Sequence, residues 1–454
     1  MKDLGKKREW TPGAWRAKEA LQQPVYDDQA PADMVLERIA HFPPLVFQGE
    51  VDHLKRLIAG AGAGNGFILQ GGNCAERFID CKPAIIMNQL KILLQMSVIL
   101  THGMRKPVVR IGRIAGQYAK PRSSRLETTN GRELCSYFGD SVNAHAAELE
   151  GRKPDPQRLL QAFYTSATTL NYIRSMIDGG FADLHYPYNW NLYSIEQTAE
   201  WPEYKDIIED ILNAIHFMES FGGVKPESLG RVDFFTSHEG LLLGYEEALT
   251  RLDERSGRYY NLGAHMVWLG KRTRNPDGAH VEYFRGIANP IGIKIDRECS
   301  PEEVTELVAI LNPENEPGRI TLITRLGVEH VAETLPELIK AVQAAGAVVT
   351  WSCDPMHGNT QSTQSGRKTR LFSKILDELK QTFQTHHRQG SYLAGVHFEL
   401  TGEDVTECIG GAVDVKDEDL GLNYQTWCDP RLNYTQSLEM ALLITKMLKT
   451  QIPR

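Results

Sequence analysis

Eight short apolar runs, most of them followed by a helical pattern, constrain this chain more than anything else in it. They are Gly66–Gln70, Pro107–Arg113, Val232–Ser237, Leu262–Leu269, Pro290–Ile295, Arg319–Thr324, Val348–Trp351 and Leu393–Leu400. All are rich in β-branched and aromatic residues, as strands are. Helical spacing follows at Ala84–Thr101, Pro301–Leu311, Val328–Ala345 and Lys368–Arg388. Eight strands alternating with helices predict a mixed α/β fold, a (β/α)₈ barrel. Each run opens into polar or charged residues. The seventh is the clearest: Val348-Val349-Thr350-Trp351 stops at Cys353-Asp354-Pro355, since proline cannot donate to a ladder, and His357, Gly358 and Asn359 follow. Barrel strands are buried on both faces, so charges at their ends are poorly explained as solubilising decoration.

A barrel needs about 250 residues, and this chain has 454. The surplus falls in two places. Residues 1–60 read as an N-terminal arm with helices at Arg16–Gln22, Pro31–Ile39 and Val51–Ala59, before the loop Ala61–Gly66. Residues 61–454 read as the barrel, interrupted between its second and third strands by an insertion at about 124–231. That insertion carries helical patterns at Pro156–Ile177 and Tyr204–Phe221 and an aromatic stretch, His185–Trp190. Tyr434–Leu448 reads as a closing helix.

Lys plus Arg number 50 against 58 Asp plus Glu, a net charge of −8. That balance argues against bulk binding to nucleic acid or an anionic membrane surface. No apolar run is expected to reach the ~20 residues of a membrane helix, and the start of the chain lacks the apolar core of a signal peptide. Seven cysteines without CxxC pairs fit a reducing cytoplasm rather than a disulfide framework or a structural zinc site.

The strand-end residues sort into two sets. Cys74, His357, Glu399 and Asp429 are metal-ligand types from four separate places, with Asp354, His397 and Glu239 as competitors. Sulfur, nitrogen and carboxylate together suit a divalent transition ion such as Mn, Co, Fe or Zn. The second set is cationic: Arg113, Lys120, Arg122, Arg272, Lys294 and Arg325. Six cations at one mouth imply at least two anionic groups between them, because guanidinium forks match phosphate and carboxylate. A metal beside phosphate clamps suits carbonyl polarisation in an aldol-type condensation.

The blocks Gln70–Glu76, Arg113–Ser123, Thr236–Glu239, Asp354–Thr360 and Cys428–Asn433 resemble the signatures of class II 3-deoxy-D-arabino-heptulosonate 7-phosphate (DAHP) synthases, the plant and microbial type. The resemblance covers nearly the whole chain, including the Trp-rich arm and Pro43–Phe47. It implies a cytoplasmic transferase of aromatic amino-acid biosynthesis that joins phosphoenolpyruvate to erythrose 4-phosphate. By matching position it makes Cys74, His357, Glu399 and Asp429 the metal ligands, with Mn or Co as the ion. Arg113, Arg272, Lys294 and Arg325 would hold phosphoenolpyruvate beside Trp268 and Lys271. Lys120, Arg122 and Ser123 would hold erythrose 4-phosphate, and Lys294 is the candidate acid. The resemblance further implies a homo-oligomer, dimer or tetramer, with aromatic amino-acid effectors bound through the arm and insertion, and it admits a chorismate mutase as partner.

Three positions depart from the family pattern: Asn73 where Asp is usual, Lys271 where Glu is usual, and Asp296 where Gly is usual. They keep two alternatives in view, a secondary-metabolism relative using a modified four-carbon sugar phosphate and a catalytically weak paralogue with a binding role. The loops after consecutive barrel strands lie side by side, so Lys271 and Asp296 are expected to pair. Cys74 as a ligand and Cys428 next to Asp429 are expected to bridge when the metal is lost, provided their Cα atoms come within about 7 Å.

Overall fold

The computed structural model describes residues 10–129, 131–181 and 232–449, with a few positions between 202 and 213. Its centre is a closed barrel of eight parallel strands in sequence order. They are β1 (Phe67–Gly72), β2 (Val108–Arg113), β3 (Phe235–Glu239), β4 (Met266–Leu269), β5 (Ile291–Ile295), β6 (Ile320–Thr324), β7 (Thr350–Cys353) and β8 (Leu393–Glu399). Each pairs with the next, and β8 closes onto β1. The expected (β/α)₈ barrel is therefore present, and each of the eight apolar runs supplies one strand.

Register decides what faces the mouth. Gly72 is paired on one side with Arg113 and on the other with Glu399. Lys294 lies level with Ile323, and Gln70 with His397. The last turn of every strand thus delivers its chemistry at one end. The other end is shut. Helix Gln48–Gly62 sets Leu54, Ile58 and Ala61 against Ile68, Val109, Phe235, Met266 and Ala394, so a dry floor underlies the barrel.

Outer helices follow the strands at Pro83–Met104, Ala279–Phe284, Pro301–Leu311, Val331–Ala344 and Phe372–Arg388. Pro301 starts its helix because Ser300 caps the Glu303 N–H at 3.1 Å and proline suits the first turn. The closing helix Tyr434–Lys449 packs on Pro83–Met104, where Gly103 leaves room for Thr445.

Several expectations need correction. Pro83–Met104 is 22 residues long with mean hydropathy 1.5 in its best window, so an apolar run of membrane-spanning length exists after all. Its length and apolarity reflect burial on both sides, against the barrel and against the closing helix. The expected helix at Arg16–Gln22 is a short 3₁₀ turn at Ala14–Ala17, because Lys18 takes extended geometry (φ −119°, ψ 164°) and ends it. The helix expected from Lys368 starts at Phe372, since Lys368–Arg370 pairs with Thr360–Ser362 as a hairpin. Two more hairpins went unforeseen, Leu126–Thr129 with Arg132–Cys135 and Thr250–Asp253 with Arg258–Asn261. The helix expected at Pro156–Ile177 runs Gln157–Asp178 and packs on Ala30–His41, with Phe42 stacked on Phe163 at 5.0 Å. The stretch His185–Trp190 and most of Tyr204–Phe221 lie outside the described residues.

Candidate active site

A polar cavity of about 270 Å³ opens at the C-terminal end of the strands. Its wall includes Cys74, Arg113, Lys120, Trp268, Lys271, Arg272, Lys294, Arg325, His357 and Asp429. These ten come from strand ends and loops far apart in sequence, brought together by the register described above. Arg122 and Ser123 do not line the cavity. Arg122 pairs with Glu127, and Ser123 is exposed.

At the deep end Cys74, His357, Glu399 and Asp429 place one donor atom each within 4.8 Å of one another. The environment suits a cation. His357 Nδ1 faces Asp354 Oδ2 at 2.7 Å, which turns Nε2 toward the cluster, 3.0 Å from Glu399. Glu399 is fully buried, and Asp429 is pulled below the carboxylate range by Lys120, Arg370 and Lys368, against the effect of burial. Both acids stay ionised. Thiolate, imidazole and two carboxylates fit a divalent transition metal.

Two of the three competing ligands have other employment. His397 Nε2 accepts from Arg113 at 3.0 Å, so its Nδ1 donates to Gln70 Oε1 at 2.8 Å. Burial, with Lys294 and Arg113 nearby, holds that imidazole neutral. Asp354 binds Lys294 Nζ at 2.5 Å. Glu239 is the acid that the sequence reading undervalued. It lines the cavity, and one of its carboxylate oxygens is buried without a hydrogen-bond partner among the described residues. Burial raises its pKa against the pull of Lys294 and Arg113. Gly270 is what makes room for it, since a side chain there would strike Glu239. The Ser-His-Glu run in which it sits offered the signal.

Several cations reach the cavity while holding an acid partner: Lys294 binds Asp354, Arg113 lies 3.2 Å from Glu399 and Lys120 3.8 Å from Asp429. Arg113 and Lys294 lie over the Trp268 ring at 5.3 and 5.9 Å, a cation–π arrangement that tolerates close positive charge. Burial lowers Lys294 to a pKa of about 8, with Asp354 opposing the shift. Lysine near 8 can hold or release a proton at neutral pH.

Loops around the cavity are fixed by buried acids. Glu76 accepts from the N–H groups of Ala115, Gly116 and Gln117 at 2.7–2.9 Å, which shapes the turn after β2. Arg431 joins Glu407 at 2.7 Å to Asn73 at 2.7 Å, tying the Asp429 loop to the Cys74 loop. Glu407 already balances that guanidinium, so the amide at Asn73 suffices as an acceptor. Lys271 reaches Asp296 at 2.5 Å, the expected pair, and also Glu298 at 2.7 Å; Asp296 further holds Arg274 at 2.9 Å. Cys74 and Cys428 form a disulfide, with Cα atoms 6.4 Å apart. The Cys74 sulfur has one role at a time: bridged to Cys428 it offers no thiolate to a metal.

With this geometry in view, comparison with known proteins is decisive. Residues 10–445 match the model of the class-II DAHP synthetase family. The chain belongs to that family. Among its relatives are proteins named phospho-2-dehydro-3-deoxyheptonate aldolase from Neurospora crassa and Streptomyces coelicolor, both 46% identical. The Neurospora match covers 96% of this chain and 93% of the relative; the Streptomyces match covers 96% and 97%. A third, from Mycolicibacterium smegmatis, is 44% identical over 95% of this chain and 93% of the relative.

Proposed function

We propose that this class-II family member condenses phosphoenolpyruvate with erythrose 4-phosphate, giving DAHP and phosphate, the first step of the shikimate pathway. One observation carries the reading: a four-donor cluster for a divalent ion borders a cavity walled by seven cations, Lys368 among them. A bound Mn or Co ion would supply Lewis-acid polarisation of the aldehyde oxygen.

The chain's own residues do the rest. Arg113, Arg272, Lys294 and Arg325 hold the phosphate and carboxylate of phosphoenolpyruvate, with Trp268 as a flat wall beside them. Lys120 takes the phosphate of the sugar, and Arg122 and Ser123, which stand off the cavity wall, would join it only by turning in. The enol carbon then attacks the aldehyde carbon. Lys294, with its pKa lowered to about 8, is placed to move a proton at the new hydroxyl. Water must add at the former enol C2 before phosphate departs, and Glu239 is placed to accept its proton. The neutral His397 contributes by orientation, holding Arg113 from behind.

Phosphate release from phosphoenolpyruvate, with Mn²⁺ present, tests the reading directly. Release that depends on erythrose 4-phosphate is expected. Release without the sugar, or none with it, overturns the assignment. The intact donor set argues against a binding-only paralogue. Lys271 argues little for an altered substrate, because Asp296 and Glu298 balance its charge.

A further inference from the structure

Arg325 and His357 stand on the loops after β6 and β7, and those loops are tied together by a carboxylate outside the cavity. Glu378, on helix Phe372–Arg388, is 1% exposed. Its Oε1 accepts from Leu326 N at 3.0 Å and Gly327 N at 3.1 Å. Its Oε2 accepts from Asn359 Nδ2 at 2.6 Å. Asn359 then spans the gap, donating to Pro355 O at 2.8 Å and accepting from Val328 N at 3.1 Å. Where the loops cross, Gly327 (φ +88°) meets Gly358, and a side chain on Gly358 would strike the Gly327 nitrogen.

Among the described residues no cation lies within ion-pair distance of Glu378. Burial raises the Glu378 pKa to about 8, yet its three partners, Leu326 N, Gly327 N and Asn359 Nδ2, all donate and so favour the ionised form; an apolar residue there would pack at less expense. Its partners explain what it contributes instead. Leu326 N is the amide next to Arg325, and Asn359 is two residues from His357. We infer that Glu378 and Asn359 are positioning residues that fix the anion-holding Arg325 and the metal-ligating His357 relative to one another. The clasp joins the two halves of the site across neighbouring strands. This rests on the proposed function for its substrate, though not for its geometry.

Glu378→Gln is the sharpest variant. Its amide oxygen can still accept from Leu326 and Gly327, but its NH₂ then opposes the Asn359 amide. Leu379→Ala, in the apolar core of the same helix, serves as the destabilised control. Three quantities are read in each: KM against kcat for phosphoenolpyruvate, Mn²⁺ affinity by titration, and orthophosphate affinity by titration. Glu378→Gln is expected to raise KM and weaken Mn²⁺ and orthophosphate binding about tenfold, the size typical of lost outer-shell support. Asn359→Ala should do the same, and the double variant should lose little more. Leu379→Ala should lower Tm and leave all three quantities near wild type. If Glu378→Gln does not fold, Asn359→Ala carries the test.

The proposal is overturned if Glu378→Gln or Asn359→Ala binds both ions within about twofold of wild type. Equal weakening in Leu379→Ala, or additive losses in the double variant, overturns it as well. If wild-type protein releases no phosphate from phosphoenolpyruvate, the proposed function fails, while the Mn²⁺ and orthophosphate titrations still decide the clasp.

Discussion

Single side chains decide whether this cavity works. His357→Ala removes one donor from the cluster and is expected to abolish most activity while circular dichroism stays unchanged; chelation should do the same, reversed by Mn²⁺ or Co²⁺. Full turnover by chelated, metal-free protein would sink the metal assignment. Glu239→Gln keeps the shape and removes the base. A loss of roughly 10²–10⁴ in kcat is expected, with the acid limb of the pH–rate profile gone; an unchanged profile would exclude Glu239 from proton transfer. Oxidised apo-protein should yield a Cys74–Cys428 peptide by mass spectrometry, and Cys428→Ser should be immune to reversible inactivation by oxidant. Inactivation that persists in that variant would place the redox chemistry elsewhere. Lys271 and Asp296 call for a double-mutant cycle. Asp296→Gly removes one of the two acids that hold Lys271, leaving it with Glu298 alone, and also strips a partner from buried Arg274. It should lower KM and kcat for phosphoenolpyruvate together, since added ground-state attraction does not speed chemistry. Additive effects with Lys271→Glu would show the pair uncoupled.

At the scale of elements, the strands were legible because each is buried on both faces and reads as a continuous apolar run. The three hairpins were not. Their strands have only three or four residues, and Leu126–Thr129 alternates exposed and half-buried positions, a pattern that also describes a loop. The four clustered donors were visible by type at strand ends. Glu378 and Asn359 were not, because nothing in a mid-helix Glu announces that it reaches two loops. Helix Phe372–Arg388 also carries a pH-dependent weakness. Burial lowers His386 to a pKa of about 3, and its Nε2 has no hydrogen-bond partner among the described residues. The unfolded chain takes up a proton there near the ordinary 6.5, and the folded chain does not. Stability from this group is therefore full above about 6.5 and falls as pH drops toward 3, by up to about 1.4 kcal/mol per pH unit. His386→Phe should flatten the fall in Tm between those pH values. A parallel fall in the variant would assign the acid sensitivity to other groups, such as His280, lowered to about 4.

The whole molecule carries more than a barrel requires. The arm and the insertion after β2 pack against each other through Phe42, Phe163, Val35 and Leu159, outside the catalytic cavity. A shared face of this kind suits feedback control. Tryptophan, phenylalanine or tyrosine, alone or together, is expected to inhibit, with the arm and insertion supplying the contacts between copies of the chain. If no aromatic amino acid changes rate or affinity, the surplus serves assembly alone. The catalytic centre also spans the length of the polypeptide. Cys74 and Cys428, neighbour of the cluster's Asp429, are 354 residues apart in sequence. At the ~5–20 residues per second of protein synthesis, Cys74 emerges from the ribosome roughly 20–70 s before Cys428. Through that interval Cys74 is a thiol with neither its metal nor its partner Cys428. Cys81 and Cys135 are made soon after it, so an oxidising environment during synthesis threatens wrong pairings that the finished molecule, with Cys428 in place, no longer favours.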